Sequence, residues 1–244
     1  MKYTECKPHI LLAPFIDAYW ELTCKAGGTA IHKILPDGCV DLAINIGDDF
    51  LNEKDNSVFK SEKAYLGGAI TQFVEAIFSQ ETHLIGVRFK PSAFSHFYAY
   101  SSLHEVTNNV VELSNDLVPK ISSFSDDIAT AFDSFFHNKL NQSKHSLLPI
   151  VATVKQYVGR ISVSELAKKH FTTVRQLERN FSYHIGLSPK EFINIIRYRY
   201  AQQLILEKYP EIKLAEIAFD SGYYDQAHLS NEIKKYSGVV PTNL

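Results

Sequence analysis

The chain has 244 residues, 45% of them hydrophobic and 21% charged, with a formal net charge of −2. That apolar content supports a buried core and excludes a disordered chain, while 11 Gly and 9 Pro exclude a fibrous or low-complexity one. No run of about 18 or more uncharged apolar residues occurs, so no membrane-spanning helix is expected. Residues 1–9 hold no apolar core of a signal peptide, and Cys6, Cys24 and Cys39 show no paired spacing. Free thiols fit a reducing compartment, so the expectation is a soluble, cytoplasmic protein.

The first elements in chain order are strands and turns. Val40, Leu42, Ile44 and Ile46 alternate with Cys39, Asp41, Ala43 and Asn45, the period-2 pattern of a half-buried strand. Pro36-Asp37-Gly38 before it and Gly47-Asp48-Asp49 after it are turn chemistry. Residues 73–78 and 84–89 predict two more strands, the second with Ile85, Val87 and Phe89 on one face. Pro91-Ser92 opens a short predicted helix through Tyr100, and residues 126–140 predict a second, amphipathic one. Strands followed by helices suggest a small β-barrel or sandwich with helices packed at one end.

A polar run, 137–146, then separates two periodic segments, giving units of 1–140 and 148–244 joined by a linker at 141–147. The charge divides here too. Residues 1–145 carry 12 Lys+Arg against 18 Asp+Glu, and residues 146–244 carry 13 against 9. An excess of positive charge in the second part points to an anionic partner, weakly on its own.

Beyond the linker the period becomes helical. Leu148, Val151, Val154, Val158 and Ile161 mark one helix face, and further helices are predicted at 163–170, 174–185, 189–208, 214–221 and 226–236. Ser162, Thr173, Ser188 and Asp225 stand where an N-cap oxygen would satisfy open backbone N–H groups. Pro189 fits a first helical position, and Gly186 and Gly238 fit left-handed helix ends.

Two of these units are alike. Leu166-Ala167 is followed by Leu177, Phe181, Gly186 and Pro189; Ile217-Ala218 is followed by Leu229, Ile233, Gly238 and Pro241. Each is a short helix, a turn, a longer helix and a Gly/Pro close, which makes a duplicated helix-turn-helix at about 162–185 and 213–236. The first helix of such a unit braces the second in the major groove. Ala167 and Ala218 supply the small inter-helix contact, and the Leu177/Phe181 and Leu229/Ile233 pairs supply apolar anchors. The opposite faces carry Arg175, Gln176, Glu178 and Arg179 in the first unit, with Thr173 at its start, and Gln226, His228, Asn231 and Lys234 in the second. Arg reads guanine and Gln or Asn reads adenine in bidentate fashion, so both faces are candidates for DNA contact. Arg175 and Arg179, four apart on one face, repel slightly, a cost that phosphate or guanine contact would explain.

Ser164-Glu165-Leu166-Ala167, Leu177-Glu178-Arg179-Asn180-Phe181 and Gly186-Leu187-Ser188-Pro189 resemble the first unit of the AraC/XylS transcriptional regulators. The run Ile217 to Leu229, closed by Gly238 and Pro241, resembles their signature. The resemblance covers 148–244 and implies an all-α, seven-helix, bipartite DNA-binding domain. Its two recognition helices would enter successive major grooves, held roughly 34 Å apart by a linker helix at about 192–208. Leu229 and Asn231 stand where that family usually has Phe and Arg, so the first unit is expected to carry most of the readout.

Tyr19-Trp20-Glu21, the stretch Leu35 to Leu42, and Gly86 to Pro91 resemble N-terminal regions attached to some of these regulators. They imply a cupin-like sensory or dimerisation module, and hence an α+β chain of two domains. The function implied is a sequence-specific DNA-binding regulator of transcription, answering to a small-molecule effector, with a homodimer and a contact to RNA polymerase as further partners. No cofactor is expected.

Two other readings compete. One is a repair-type enzyme with catalysis in the N-terminal half, where Cys39 lies between Asp37 and Asp41 with His32 near in sequence. No paired base and orienter accompanies it, so no catalytic residue is assigned. The other is a constitutive regulator whose N-terminal half only dimerises. His9, His32, His83, His96 and His104 show no ligand spacing, so no metal site is assigned. Trp20 and Arg88 are the candidates for contact with a small molecule. Arg88, the single Arg before residue 146, could instead pair with Glu75 or Glu21.

Overall fold

The computed structural model describes residues 1–25, 30–52, 56–78, 81–124, 127–141 and 146–244. Most of the expected linker, 142–145, lies outside the described residues, as does residue 126.

Among the described residues ten strands precede the α-helices: β1 (Lys2–Cys6), β2 (Ile16–Cys24), β3 (Ala30–Ile34), β4 (Val40–Asn45), β5 (Phe50–Asn52), β6 (Ser57–Phe59), β7 (Ala64–Gly67), β8 (Val74–Phe78), β9 (Thr82–Phe89) and β10 (Val110–Leu113). Six form an antiparallel sheet in the order β1-β2-β9-β4-β7-β10, and β3–β8 and β5–β6 form two separate ribbons. The β-rich first part and the helical second part are those expected. The helix expected to run from Pro91 to Tyr100 is instead a 3-10 turn at Phe94–His96, preceded by Ser92 in a left-handed conformation (φ +70°).

β2 did not announce itself as a strand because both of its faces are covered. A bulge between Ile16 and Ala18 shifts its register against β9. Ile16 and Tyr19 therefore both join the main core, while Trp20, Leu22 and Cys24 face a second one with Phe50, Phe78 and Leu84. This second core fills the space between the sheet and the ribbons. Trp20 lies across Gly86 of β9, where an added Cβ would come within 2.2 Å of the indole; only glycine leaves room for the ring.

The main core lies on the other sheet face and continues into the helices. Helix α1 (Ile128–Lys139) starts on the Asp127 cap and buries Phe132 and Phe136. Tyr19 stacks on Phe132 at 5.0 Å and donates its hydroxyl to Asp133 at 2.7 Å. Each fully buried Phe here contributes about 1.5–3 kcal/mol relative to an exposed one.

Six further helices follow: α2 (Leu148–Gln156), α3 (Val163–Lys169), α4 (Val174–His184), α5 (Pro189–Lys208), α6 (Leu214–Asp220) and α7 (Gln226–Ser237). A 3-10 turn at Pro241–Asn243 closes the chain, giving seven helical elements after the linker. α2 ends five residues before the expected Ile161, because Val158 (φ +46°) and Gly159 (φ +71°) turn left-handed. All four predicted caps form. Ser162 with Glu165 and Ser188 with Glu191 close reciprocal capping boxes, and Thr173 and Asp225 accept from the Gln176 and His228 amides. Gly186 and Gly238 are left-handed, at φ +89° and +77°. No helix among the described residues is long and apolar enough to cross a membrane.

Candidate nucleic-acid interface

The helical half is built as two helix-turn-helix units on one strut. In the first, α3 packs on α4, Ala167 is buried, and Leu177 and Phe181 are fully buried. In the second, α6 packs on α7, and Ala218, Leu229 and Ile233 are fully buried. α5 is apolar on several sides, burying Phe192, Ile193, Ile195, Ile196, Tyr198, Ala201, Leu204 and Ile205. A helix buried around its girth serves as an internal scaffold, and both units pack on it. Its 20 residues make a strut about 30 Å long.

Anchoring one face of each recognition helix turns the other outward. Thr173, Arg175, Glu178 and Arg179 on α4 are exposed, and Gln176 is half-buried. Arg179 Nη2 donates to Gln176 Oε1 at 2.8 Å, and Gln176 Nε2 donates to Asn180 Oδ1 at 2.7 Å. This chain holds two candidate readers in one arrangement before any ligand arrives, lowering the ordering entropy left to lose. On α7, Gln226, His228, Asn231 and Lys234 are exposed, and the His228 ring meets Tyr223 edge-on at 5.2 Å. Glu232 is partly neutralised by Lys235 at 3.9 Å. The amino ends of both helices carry the partial positive charge that favours phosphate.

The two turns differ. The first spans 170–173 and the second 221–225, one residue longer. Each passes through a left-handed residue, which is Gly222 in the second turn but Phe171 in the first, at φ +51° and 99% exposed. Two arginines lie on the linker helix α5. Arg199 is exposed, but Arg197 is half-buried, lies 5.3 Å over the Tyr223 ring and bonds Asn194.

Sequence reasoning missed how the first half meets these units. Segment 100–107 grips the end of α4: Thr107 Oγ1 donates to the Gly186 carbonyl at 2.7 Å, His104 Nδ1 lies 3.1 Å from the same oxygen, and Tyr183 donates to the Tyr100 carbonyl at 2.7 Å. On the other side Lys33 Nζ donates to the Ser237 carbonyl at 3.2 Å, and Phe73 lies against Gly238. Gly38 lies against Phe192 of α5, too close to admit a Cβ. The carboxyl ends of both recognition helices are thus held by the β-rich half. No short-range spacing encodes such contacts, which join residues 79 to 204 positions apart.

The N-terminal candidates come together differently from expectation. Arg88 is ion-paired, but with Glu5 at 2.8 Å, Asp41 at 3.4 Å and Asp37 at 3.7 Å, and it also donates to Tyr3. Glu75 pairs with Lys33 and Glu21 with His83 instead. The β4–β9 pairing sets Asp41 opposite Arg88, and the β1 edge strand brings Glu5 to it. Trp20 Nε1 donates to Asp41 at 2.8 Å, so both candidates converge on one carboxylate. Burial pushes the Asp41 carboxyl up to about 6, against Arg88 and with help from Asp37. Burial likewise pushes the Cys39 thiol well above its usual range, and Asp37 and Asp41 add to the effect. A thiol held protonated is a poor nucleophile. Asp37 accepts from the Cys39 amide at 2.8 Å, the turn expected for it. His9 and His137, far apart in sequence, place their ring nitrogens 3.2 Å apart. Among the described residues no three His, Cys, Asp or Glu side chains form a metal-ligand group.

A fold of this kind, two helix-turn-helix units on a shared helix behind a β-rich half, defines a bipartite helix-turn-helix protein. The comparisons agree. Residues 166–244 match a family described as helix-turn-helix domain, and residues 4–112 match a domain of unknown function, DUF6597. The chain is 29% identical over 120 residues to the Msm operon regulatory protein of Streptococcus mutans, covering 47% of this chain and 42% of that protein. It is 25% identical over 88 residues to the HTH-type transcriptional activator RhaS of Escherichia fergusonii, covering 36% and 31%. The matches therefore span less than half the length of these curated relatives. Among solved structures, ToxT from Vibrio cholerae O395 bound to (E)-4-(8-methylnaphthalen-1-yl)but-3-enoic acid shares the fold, with a TM-score of 0.50 at 16% identity over 91% of this chain and 96% of that one. Residues 166–244 are thus a helix-turn-helix domain, and over part of its length the chain is similar to these transcriptional regulators.

Proposed function

We propose that this protein binds a specific DNA duplex and regulates transcription there. The observation that carries this reading is the pair of recognition helices, each anchored by two buried apolar residues and each turning a polar face outward from the same strut. In this reading Arg175 and Arg179 read guanine or grip phosphate, Gln176 reads adenine, and Thr173 and Glu178 border them. Gln226, His228, Asn231 and Lys234 form the contact surface of the second unit, with fewer cations and weaker readout. A cytoplasmic location follows from the role.

Regulation would run through the contacts at Gly186 and Ser237. An effector that favours one arrangement of the β-rich half would reposition both recognition helices, provided its affinity differs between the two arrangements. We assign the effector's influence to the boundary between the halves, where a cleft of about 190 Å³ is lined by Thr71, Gln72, Glu191, Ile195, Lys235 and Tyr236. Trp20 and Arg88 are less suited, because Asp41, Glu5 and Asp37 already engage them. A homodimer and a contact to RNA polymerase complete the proposal.

The test is selection of bound sequences from a random duplex library, followed by hydroxyl-radical footprinting of the winner. Two protected stretches on one face of the duplex, about one helical turn apart, are expected. Salt-sensitive binding with no enriched sequence would contradict the reading, since phosphate contacts alone carry no sequence information.

A further inference from the structure

Each helix-turn-helix unit packs on α5, yet one side chain from the loop that leads into the first unit reaches directly to the second. Arg160 lies in the loop between α2 and α3. Its Nη1 donates to the carbonyl of Asp220, the last residue of α6, at 3.2 Å. Its stem packs on Gly222, where an added Cβ would come within 2.9 Å of Arg160 Cγ. A cation at the carboxyl end of a helix is favourably placed, because the last carbonyls are unpaired and carry partial negative charge.

The base of Arg160 is fixed. Val158 and Gly159 are both left-handed, and a Cβ on Gly159 would fall 2.5 Å from the Ile193 carbonyl and 2.6 Å from the Arg197 amide. The loop is therefore pressed onto the middle of α5, at the level where Arg197 lies over Tyr223. Arg160 and Arg197 approach the second turn from two sides, one at Asp220 and Gly222, the other at Tyr223.

We propose that Arg160 is a positioning residue that fixes the angle between the two units, and so sets the spacing of half-sites the protein accepts. It acts on DNA through Asp220 and Gly222. The inference rests on the bipartite DNA-binding reading and adds to it a residue outside both recognition helices. A strut alone fixes a distance; a cross-brace between the two bodies it carries also fixes rotation about it. One base pair rotates the second half-site by about 34° and moves it about 3.4 Å, so a braced pair of units must reject the change.

The experiment measures affinity by fluorescence anisotropy for the duplex selected by the wild-type chain, and for versions with one base pair inserted or deleted between the half-sites. Arg160→Ala and Arg160→Lys are compared with wild type. The wild type is expected to lose tenfold or more on either change, Arg160→Ala threefold or less, and Arg160→Lys, which keeps a donor, nearly as much as wild type. An Arg160→Ala spacing penalty equal to the wild-type value would overturn the proposal. So would a uniform loss across all spacings with a salt slope lowered by about one, which would make Arg160 a phosphate contact. A second measurement needs no DNA. Residual dipolar couplings of the free chain should fit one alignment tensor for both units in wild type and two in Arg160→Ala; one common tensor in both would overturn the brace. If the wild type tolerates the inserted base pair while the tensors split as expected, the brace stands and the two-half-site reading fails.

Discussion

Thr107 Oγ1 donates to the carbonyl of Gly186 at 2.7 Å, and so ties the β-rich half to the residue that ends the first recognition helix. Gly186 is left-handed, and a Cβ there would lie 2.8 Å from Thr107 Oγ1 and 2.9 Å from the Leu103 carbonyl. Two substitutions separate the bond from the close approach. Thr107→Val removes the donor but keeps the shape, and is expected to cost about 0.5–1.5 kcal/mol by urea denaturation. Gly186→Ala adds strain and a clash, and should cost about 1–3 kcal/mol. Both should speed amide hydrogen exchange at 182–186. Unchanged exchange there would show that the contact does not hold the helix end.

Phe171 offers a change in the other direction. It pays for a left-handed backbone with no packing in return, being 99% exposed, while the second turn uses Gly222 in the matching role. Phe171→Gly should raise stability by about 0.5–1 kcal/mol, the relieved strain exceeding the extra entropy of glycine in the unfolded chain. A fall in the thermal midpoint would show that the ring makes a stabilising contact.

Asp41 gives the fold a pH dependence of definite sign. Its carboxyl is pushed from 3.8 up to about 6 by burial, so the folded chain holds this proton more tightly than the unfolded one. The resulting stabilisation is fully present below about 3.8 and is lost as pH rises through about 6. Asp41→Asn keeps an acceptor for Trp20 and removes the titration. Between pH 4.5 and 7 the wild type should therefore lose on the order of 1–2 kcal/mol relative to the variant, allowing for partial screening at this half-buried site. Parallel stability curves for the two proteins would refute the assignment.

The helical half was legible because its information is local. Ser162, Thr173, Ser188 and Asp225 cap helices through bonds three residues away, and Leu177 with Phe181 mark a face by periodicity alone. The β-rich half was legible in part, β4 by its alternation and β8 and β9 as short apolar runs. Trp20 and Tyr19 sit on opposite faces of a strand buried on both, so period-2 alternation of polarity is absent. Arg88 was readable as an ion-pair former but not as the partner of Glu5, which lies 83 positions away and arrives through the β1–β2 pairing. Arg160 carried no signal, since its meaning comes from a left-handed loop and a carbonyl 60 positions on.

The readout itself is tested most directly at Arg179, the exposed cation that the structure ties to Gln176. Affinity of wild type, Arg179→Ala and Asn231→Ala is measured on the selected duplex across a salt series, and the library selection is repeated with Arg179→Ala. The account predicts a loss of about 1–3 kcal/mol for Arg179→Ala, with relaxed preference at one position of the first half-site, and a smaller loss for Asn231→Ala. An Arg179→Ala protein that binds the same duplex with unchanged affinity and selects the same sequence would contradict base reading by the first unit.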